Sequence, residues 1–161
     1  MTSKHISRDA VARAQSNQIV AHPLNGQAKR RTLSLGDETG LRRVAVHLSV
    51  VAPGDETTES HVHHFVDEFA YILSGTGTVY LGEGEHEVSA GDFIAFPANG
   101  PAHFMKNSGS TDLVYLVGGD RADFDICDYP RLEKRVYVSK NEQGRRLDFV
   151  DCKDVNSVQR P

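Results

Sequence analysis

The chain has 161 residues, the length of one ordinary globular domain. Its hydrophobic fraction of 39% fits a globular protein. Its net charge of −4 and its pI of about 6.0 show no excess of basic residues of the kind that binds nucleic acid. No apolar run approaches the ~20 residues that span a bilayer. No apolar segment near the start indicates a secretory signal, so we expect a cytoplasmic protein without a membrane partner.

The first 26 residues carry the weakest structural signal. Ser7 is placed to cap a short helix over residues 8–14, but no wide apolar stripe accompanies it. We therefore predict an N-terminal arm or short helix over residues 1–26. A single domain is expected over 27–150 and a tail over 151–161.

Strands are predicted from residue 28 onwards. Residues 28–35 and 41–52 form the first two, and in the second one apolar side chains alternate with polar or small ones. Short strands then follow at close intervals up to residue 117, and two outer strands are predicted at 136–138 and 147–150. Closely spaced strands without long helices favour an antiparallel barrel or sandwich, whose mouth is a natural small-molecule pocket.

Three histidines and a glutamate form the clearest chemical pattern. His61 and His63 project to the same side of a strand, because strand side chains alternate between faces. Glu68 opens the next apolar run, and His103 lies in a second dense stretch over residues 91–107. Three imidazoles and one carboxylate are suited to bind one divalent transition metal and to leave positions open for a substrate.

The neighbouring turn residues occur in a fixed order around these four residues. They are Gly54, Gly75, Gly91, Pro97, Gly100 and Asn107. The ordered set resembles the two motifs of the cupin superfamily, placed here at 54–75 and 91–107. Six residues rather than the usual five separate Gly54 from His61, and two rather than one separate Pro97 from Gly100. The stretches 96–103 and 128–130 resemble small single-domain bacterial cupins, which are often labelled as candidate sugar-phosphate isomerases.

This resemblance implies an all-β fold, a double-stranded β-helix or jelly roll with a short N-terminal arm or helix and a C-terminal extension. It also implies a homodimer and one divalent transition metal per chain (Zn, Mn, Fe, Ni or Co). The metal ligands would be His61, His63, Glu68 and His103.

Other residues remain as alternatives or as candidates for the pocket. His64 and Asp67 face away from the predicted ligands, and His64 would replace one only if a bulge shifted the strand register. His5, His22 and His86 are expected to be solvated. The pocket candidates, which are also candidates for the core, are His47, Tyr71, Phe96, Met105 and Tyr115.

The predicted function is a metal-dependent enzyme acting on a small polar oxygen-containing metabolite, with an isomerase favoured and the catalytic residues unassigned. The alternatives are a cupin dioxygenase or other oxidoreductase, and a non-catalytic cupin that binds a small molecule. A phosphate-bearing substrate would need basic residues, for which the sequence offers Lys106 and the Arg42–Arg43 pair. The Arg30–Arg31 pair fits either a solvated strand face or an anion site.

Cys127 and Cys152 lack metal or redox spacing, which favours free thiols over a disulfide that would hold the tail.

Overall fold

The computed structural model describes residues 4–15, 19–141 and 143–156. Within these ranges the chain forms thirteen strands and two short α-helices. The helices are α1 (Arg8–Gln15) and α2 (Leu35–Thr39). The strands are β1 (Ile19–His22), β2 (Asn25–Ser34), β3 (Val44–Val51), β4 (Val62–His63), β5 (Glu68–Ser74), β6 (Thr76–Leu81), β7 (Gly84–Ser89), β8 (Phe93–Phe96), β9 (His103–Lys106), β10 (Leu113–Asp120), β11 (Phe124–Tyr129), β12 (Lys134–Asn141) and β13 (Gly144–Asp151).

The strands pair antiparallel in three sheets. The six-stranded sheet has the order β1-β2-β3-β10-β5-β8, the four-stranded sheet β13-β12-β11-β4, and the three-stranded sheet β7-β6-β9. In the six-stranded sheet β10 lies between β3 and β5, so strands distant in sequence become neighbours. The predicted all-β double-stranded β-helix is confirmed.

The main core lies between the six-stranded and three-stranded sheets. Its buried members come from seven strands, and each large one contributes about 1.5–3 kcal/mol of stability through removal from water. They are Val51, Ala70, Ile72, Val79, Val88, Ile94, Phe96, Met105, Leu113 and Tyr115. A second, smaller cluster of Cys127, Val136 and Val138 lies in the four-stranded sheet.

Strand alternation decides which side chains reach the inside of the barrel. In β3, His47 and Ser49 face a central cavity, while Leu48 faces outwards. In β5, Glu68 faces the cavity, so Tyr71, three residues further on, faces the opposite way and is 39% exposed. The prediction that Tyr71 contributes to the pocket is therefore wrong.

The ends of the chain join the sheets more extensively than the sequence indicated. Helix α1 agrees with the predicted short helix, and the Ser7 hydroxyl accepts a hydrogen bond from the Ala10 amide. Strand β1, however, lies within the predicted arm over residues 1–26 and pairs with β2. Residues 1–3 and 16–18 of that arm, and 157–161 of the predicted tail, lie outside the described residues.

The two predicted outer strands are present as β12 and β13, and both are longer than predicted. Strand β13 continues to Asp151, the first residue of the predicted tail, and Cys152 begins a short 3-10 turn. Cys127 is buried, Cys152 is exposed, and both are free thiols. None of the helices in the described part of the chain is long and apolar enough to cross a membrane.

Candidate metal centre and its cavity

The four predicted ligands reach one point from three sheets. His63 belongs to β4 in the four-stranded sheet, Glu68 begins β5 in the six-stranded sheet, and His103 begins β9 in the three-stranded sheet. His61 precedes β4 and forms a two-way backbone bridge with His103, with N–O distances of 2.8 and 3.2 Å. The side chains therefore converge because three sheets meet here.

The distances are short enough for the four side chains to share one cation. Glu68 Oε2 lies 3.4 Å from His63 Nε2, 3.8 Å from His103 Nε2 and 3.9 Å from His61 Nε2. His61 and His103 are only 8% and 4% exposed. The convergence expected from the spacing is thus present, while metal ligation itself stays a prediction.

The second ring nitrogen of each histidine is held by an oxygen acceptor. His61 Nδ1 lies 2.8 Å from the Glu59 carbonyl oxygen, and His63 Nδ1 lies 2.5 Å from Asp125 Oδ2. His103 Nδ1 lies 3.3 Å from the Pro101 carbonyl oxygen. Such acceptors place a proton on Nδ1 and direct Nε2 towards the shared point, as is usual for histidines that bind metals.

One atom of the cluster supports a fit to a metal directly. His103 Nε2 is buried and has no hydrogen-bond partner among the described residues. A buried polar atom without a partner costs free energy, and a cation bound to its lone pair would remove that cost. The donor set of three imidazoles and one carboxylate suits a divalent transition ion.

The electrostatics of the cluster also favour a cation. Burial opposes ionisation of Glu68, but the three histidines outweigh it and lower the pKa of Glu68 well below its usual range. Burial also opposes the charge of His63, and hydrogen bonds with Asp125 and Glu68 overcome it and raise its pKa to about 9. A divalent cation would compete with the His63 proton for Nε2.

The alternative ligands lie elsewhere. His64 Nε2 is 2.9 Å from Asp128 Oδ2, and Asp67 Oδ1 accepts a hydrogen bond from the Ala98 amide at 2.7 Å. His5 and His86 are exposed, as predicted. The prediction for His22 is wrong, because strand β1 brings its ring 5.4 Å from that of Tyr129 and half-buries it.

The cluster lines a cavity of about 540 Å³. Four predicted pocket residues lie on its wall, namely His47, Phe96, Met105 and Tyr115. The Phe96 ring stacks on His103 with 4.0 Å between ring centroids, which fixes the plane of that imidazole. The cavity wall is polar beside β2, where Arg30, Thr32 and Ser49 face inwards.

Several residues near the cluster had no recognisable sequence signal. Asp125 and Glu59 belong to segments whose closeness to the histidines depends on long-range pairing. Cys127 also lies close, with its sulfur within 4.8 Å of ring nitrogens of His61 and His63. Burial raises the pKa of the Cys127 thiol to about 12, so it stays protonated and is poorly suited to bind a metal.

Comparison with known proteins identifies the family. The profile of the family described as "Cupin domain" matches residues 47–119. The chain is also 36% identical to a candidate sugar phosphate isomerase of known structure from Acidithiobacillus ferrooxidans, over 97% of both chains and with a TM-score of 0.89. This chain belongs to the cupin superfamily.

A second similar structure is the sugar phosphate isomerase of the cupin superfamily from Silicibacter pomeroyi. It is 27% identical over 88% of both chains, with a TM-score of 0.75. Among curated proteins, this cupin is 36% identical over 100 residues to auxin-binding protein 1 of Arabidopsis thaliana, a match that covers 56% of the chain and 48% of that protein. It is 32% identical over 80 residues to the uncharacterised protein MJ1618 of Methanocaldococcus jannaschii, over 50% and 56% of the two chains. The chain thus spans about half the length of these curated relatives.

Proposed function

We propose that this cupin is a metal-dependent enzyme that isomerises a small polar oxygen-containing metabolite. The observation that carries the proposal is the approach of three histidine Nε2 atoms to within 3.9 Å of one Glu68 oxygen on the wall of a cavity. The ligands of one divalent ion per chain (Zn, Mn, Fe, Ni or Co) would be His61, His63, Glu68 and His103. Such an ion supplies Lewis-acid polarisation of a substrate oxygen.

Two cavity residues outside this cluster are suited to move protons. Burial lowers the pKa of His47, with Arg30 and Arg121 adding to the shift and Asp37 opposing it, so the ring is neutral near pH 7 and able to accept a proton. Burial raises the pKa of Tyr115, so its hydroxyl stays protonated and able to donate. An aldose–ketose isomerisation requires proton transfer at both carbon and oxygen, and we assign these transfers to His47 and Tyr115.

The names of the two similar structures support sugar phosphates as the first substrates to test. Protein loaded with Mn, Zn, Fe, Ni or Co should interconvert an aldose phosphate and its ketose partner, followed by NMR. His103→Ala should lose the activity, and His86→Ala, which changes an exposed histidine, should keep it. Absence of interconversion with every metal and sugar phosphate would remove the isomerase proposal.

A second candidate function is non-catalytic binding of a small molecule. The match to auxin-binding protein 1, a relative named for binding, favours this candidate. Saturable binding of a ligand that the metal-loaded protein never turns over would support it over the enzyme. A redox-active metal with oxygen consumption would instead support the dioxygenase alternative.

We also propose a homodimer that pairs through the outer face of the six-stranded sheet. One row of this face is apolar across five strands, as the register aligns Leu33, Leu48, Leu116, Tyr71 and Phe93. Phe93 and Tyr71 are 63% and 39% exposed, and an apolar surface of this kind suits a two-fold symmetric contact.

The two free thiols fit a cytoplasmic location.

Light scattering tests this assembly. The wild type should have the mass of two chains, and Phe93→Glu should have the mass of one. Phe124→Glu is the control, because Phe124 is a 49% exposed aromatic residue in the four-stranded sheet. A monomeric wild type, or a Phe93→Glu variant that remains dimeric, would contradict the proposed interface.

A further inference from the structure

We propose that Arg30 is an anion-binding group of the cavity and holds a phosphate or carboxylate of the substrate. The inference rests on the proposed function in one respect, since it assigns a substrate class to the same cavity. Its own basis is the placement, charge and hydrogen bonding of Arg30.

The backbone directs Arg30 into the cavity. Arg30 and Thr32 lie on the same face of β2, and both line the cavity. One guanidinium nitrogen of Arg30 donates a hydrogen bond of 2.5 Å to the Thr57 carbonyl oxygen. The Thr57 amide in turn bonds the Met105 carbonyl oxygen at 2.8 Å, so the segment that holds Arg30 is anchored to β9. Arg30 is therefore a fixed, half-buried part of the cavity wall.

The charge of Arg30 has no carboxylate partner within 4.0 Å among the described residues. Arg121, which also lines the cavity, and Arg31 on the same strand are both paired. Arg121 lies 2.6 Å from Asp37, and Arg31, the next residue along β2, lies 2.5 Å from Asp112 on the opposite face. A half-buried guanidinium with one carbonyl contact keeps donors free for a planar or tetrahedral anion.

Arg30 acts on both residues that we assign to proton transfer. Its charge adds to the effect of burial in lowering the pKa of His47, and it opposes the effect of burial on the pKa of Tyr115. Because His47 and Tyr115 also line the cavity, a substrate anion bound to Arg30 would share the cavity with both residues. This placement fits a substrate whose oxygen-bearing carbons are next to a phosphate or carboxylate.

The basic residues that the sequence offered for a phosphate-bearing substrate are not on the cavity wall. Lys106 and the Arg42–Arg43 pair are absent from its lining, and Arg42 and Arg43 are exposed. Two other cations, Lys140 and Arg145, lie at the cavity from β12 and β13. Both are exposed, so they attract anions over a distance rather than hold them.

The test compares Arg30→Met with Arg31→Met, a matched control on the same strand and the opposite face. Calorimetry first measures the binding of inorganic phosphate and acetate to metal-stripped protein. Without the metal, no anion can bind to the metal instead of Arg30. Metal-loaded protein is then titrated with fructose 6-phosphate against fructose, and with glycerate against glycerol. The first pair reports a phosphate and the second a carboxylate.

We expect Arg30→Met to weaken binding of the preferred anion about tenfold or more, because a hydrogen bond to a charged group is lost. Arg31→Met should bind as the wild type does, and the neutral members of each pair should not respond to Arg30→Met. Arg30→Gln, which keeps a donor for the Thr57 carbonyl, replaces Arg30→Met if that variant does not fold, with the same loss expected.

The inference is overturned if the Arg30 variants bind every anion as tightly as the wild type, or if the wild type prefers no anion to its neutral partner. Anion binding through Arg30 without metal or turnover would leave this inference standing and remove the proposed enzyme. If Arg30→Met binds metal and turns over substrate as the wild type does, the proposed enzyme would stand and this inference would be removed.

Discussion

At the scale of single residues, the cluster depends on the groups that hold the histidine rings. Asp125 is 1% exposed, and its carboxylate accepts hydrogen bonds from His63 Nδ1 and from the Phe65 amide. Burial raises the pKa of Asp125, and contact with His63 outweighs that effect and lowers it. The buried carboxylate therefore stays ionised and fixes the orientation of His63.

Asp125→Asn should weaken metal binding about 10- to 100-fold, because it removes the charge behind His63 while keeping the size of the side chain. Competition with a chromogenic chelator measures the affinity. Asp128→Asn is the control on the same strand, since Asp128 pairs with His64 and Arg135 instead. Equal affinities in the wild type and Asp125→Asn would show that Asp125 has no such role.

The sequence predicted the convergence of the four side chains but not their supports. His61 and His63 share a face by simple alternation, and the order of the glycines around them made the resemblance to cupins specific. Asp125 reaches His63 only because β11 pairs with β4, which no local pattern encodes. For Arg30, alternation separates it from Arg31, but only the assembled barrel decides which of the two faces the cavity.

At the scale of elements, glycines determine where the chain passes from one sheet to another. Gly75 joins β5 of the six-stranded sheet to β6 of the three-stranded sheet and has φ of 84°. A Cβ atom there would lie against the Asp112 carbonyl oxygen and 2.9 Å from Leu113 Cα. Both the backbone angle and the close approach of β10 therefore require glycine.

Gly75→Ala should cost about 2–5 kcal/mol of stability, because left-handed strain and a clash with rigid backbone add together. Gly91→Ala is the matched control, with φ of 98° but no atom within 4 Å of the added Cβ. It should cost about 1–2 kcal/mol from strain alone. Urea denaturation measures both values, and equal losses would contradict the role of the close approach.

Local pattern predicted most strands and missed those that depend on a partner. Strand β3 shows clear alternation, whereas β1 has four residues and takes its structure from pairing with β2. Residues 36–40 lie between the first two predicted strands, yet Leu35–Thr39 form α2, which the Ser34 hydroxyl caps by accepting a hydrogen bond from the Asp37 amide. A serine followed by acidic residues in the first turn is the signal that could have found this helix.

At the scale of the whole molecule, the candidate metal centre joins three sheets. Its proposed ligands come from the four-, six- and three-stranded sheets, so a bound cation would hold their ends together. The resemblance of ordered motifs predicted the barrel, yet the polar lining beside β2 and the apolar outer row could not be predicted. These features depend on which face of each strand the closed barrel turns inwards.

A bound metal should therefore stabilise the entire fold. Free metal at 100 times its Kd contributes about 2.7 kcal/mol, which corresponds to a rise in Tm of about 5–10 °C for a chain of this size. Differential scanning calorimetry should show this rise for the wild type and for His86→Ala, and no rise for the double variant His61→Ala/His103→Ala. A rise of equal size in the double variant would place the stabilising metal elsewhere.

Elemental analysis of protein purified without added metal is the most direct test of the cluster. The wild type should carry about one divalent transition-metal ion per chain. The double variant His61→Ala/His103→Ala should carry none while its circular dichroism remains rich in β-structure. A wild type that binds no transition metal even after loading, or a double variant that keeps a full equivalent, would contradict the account.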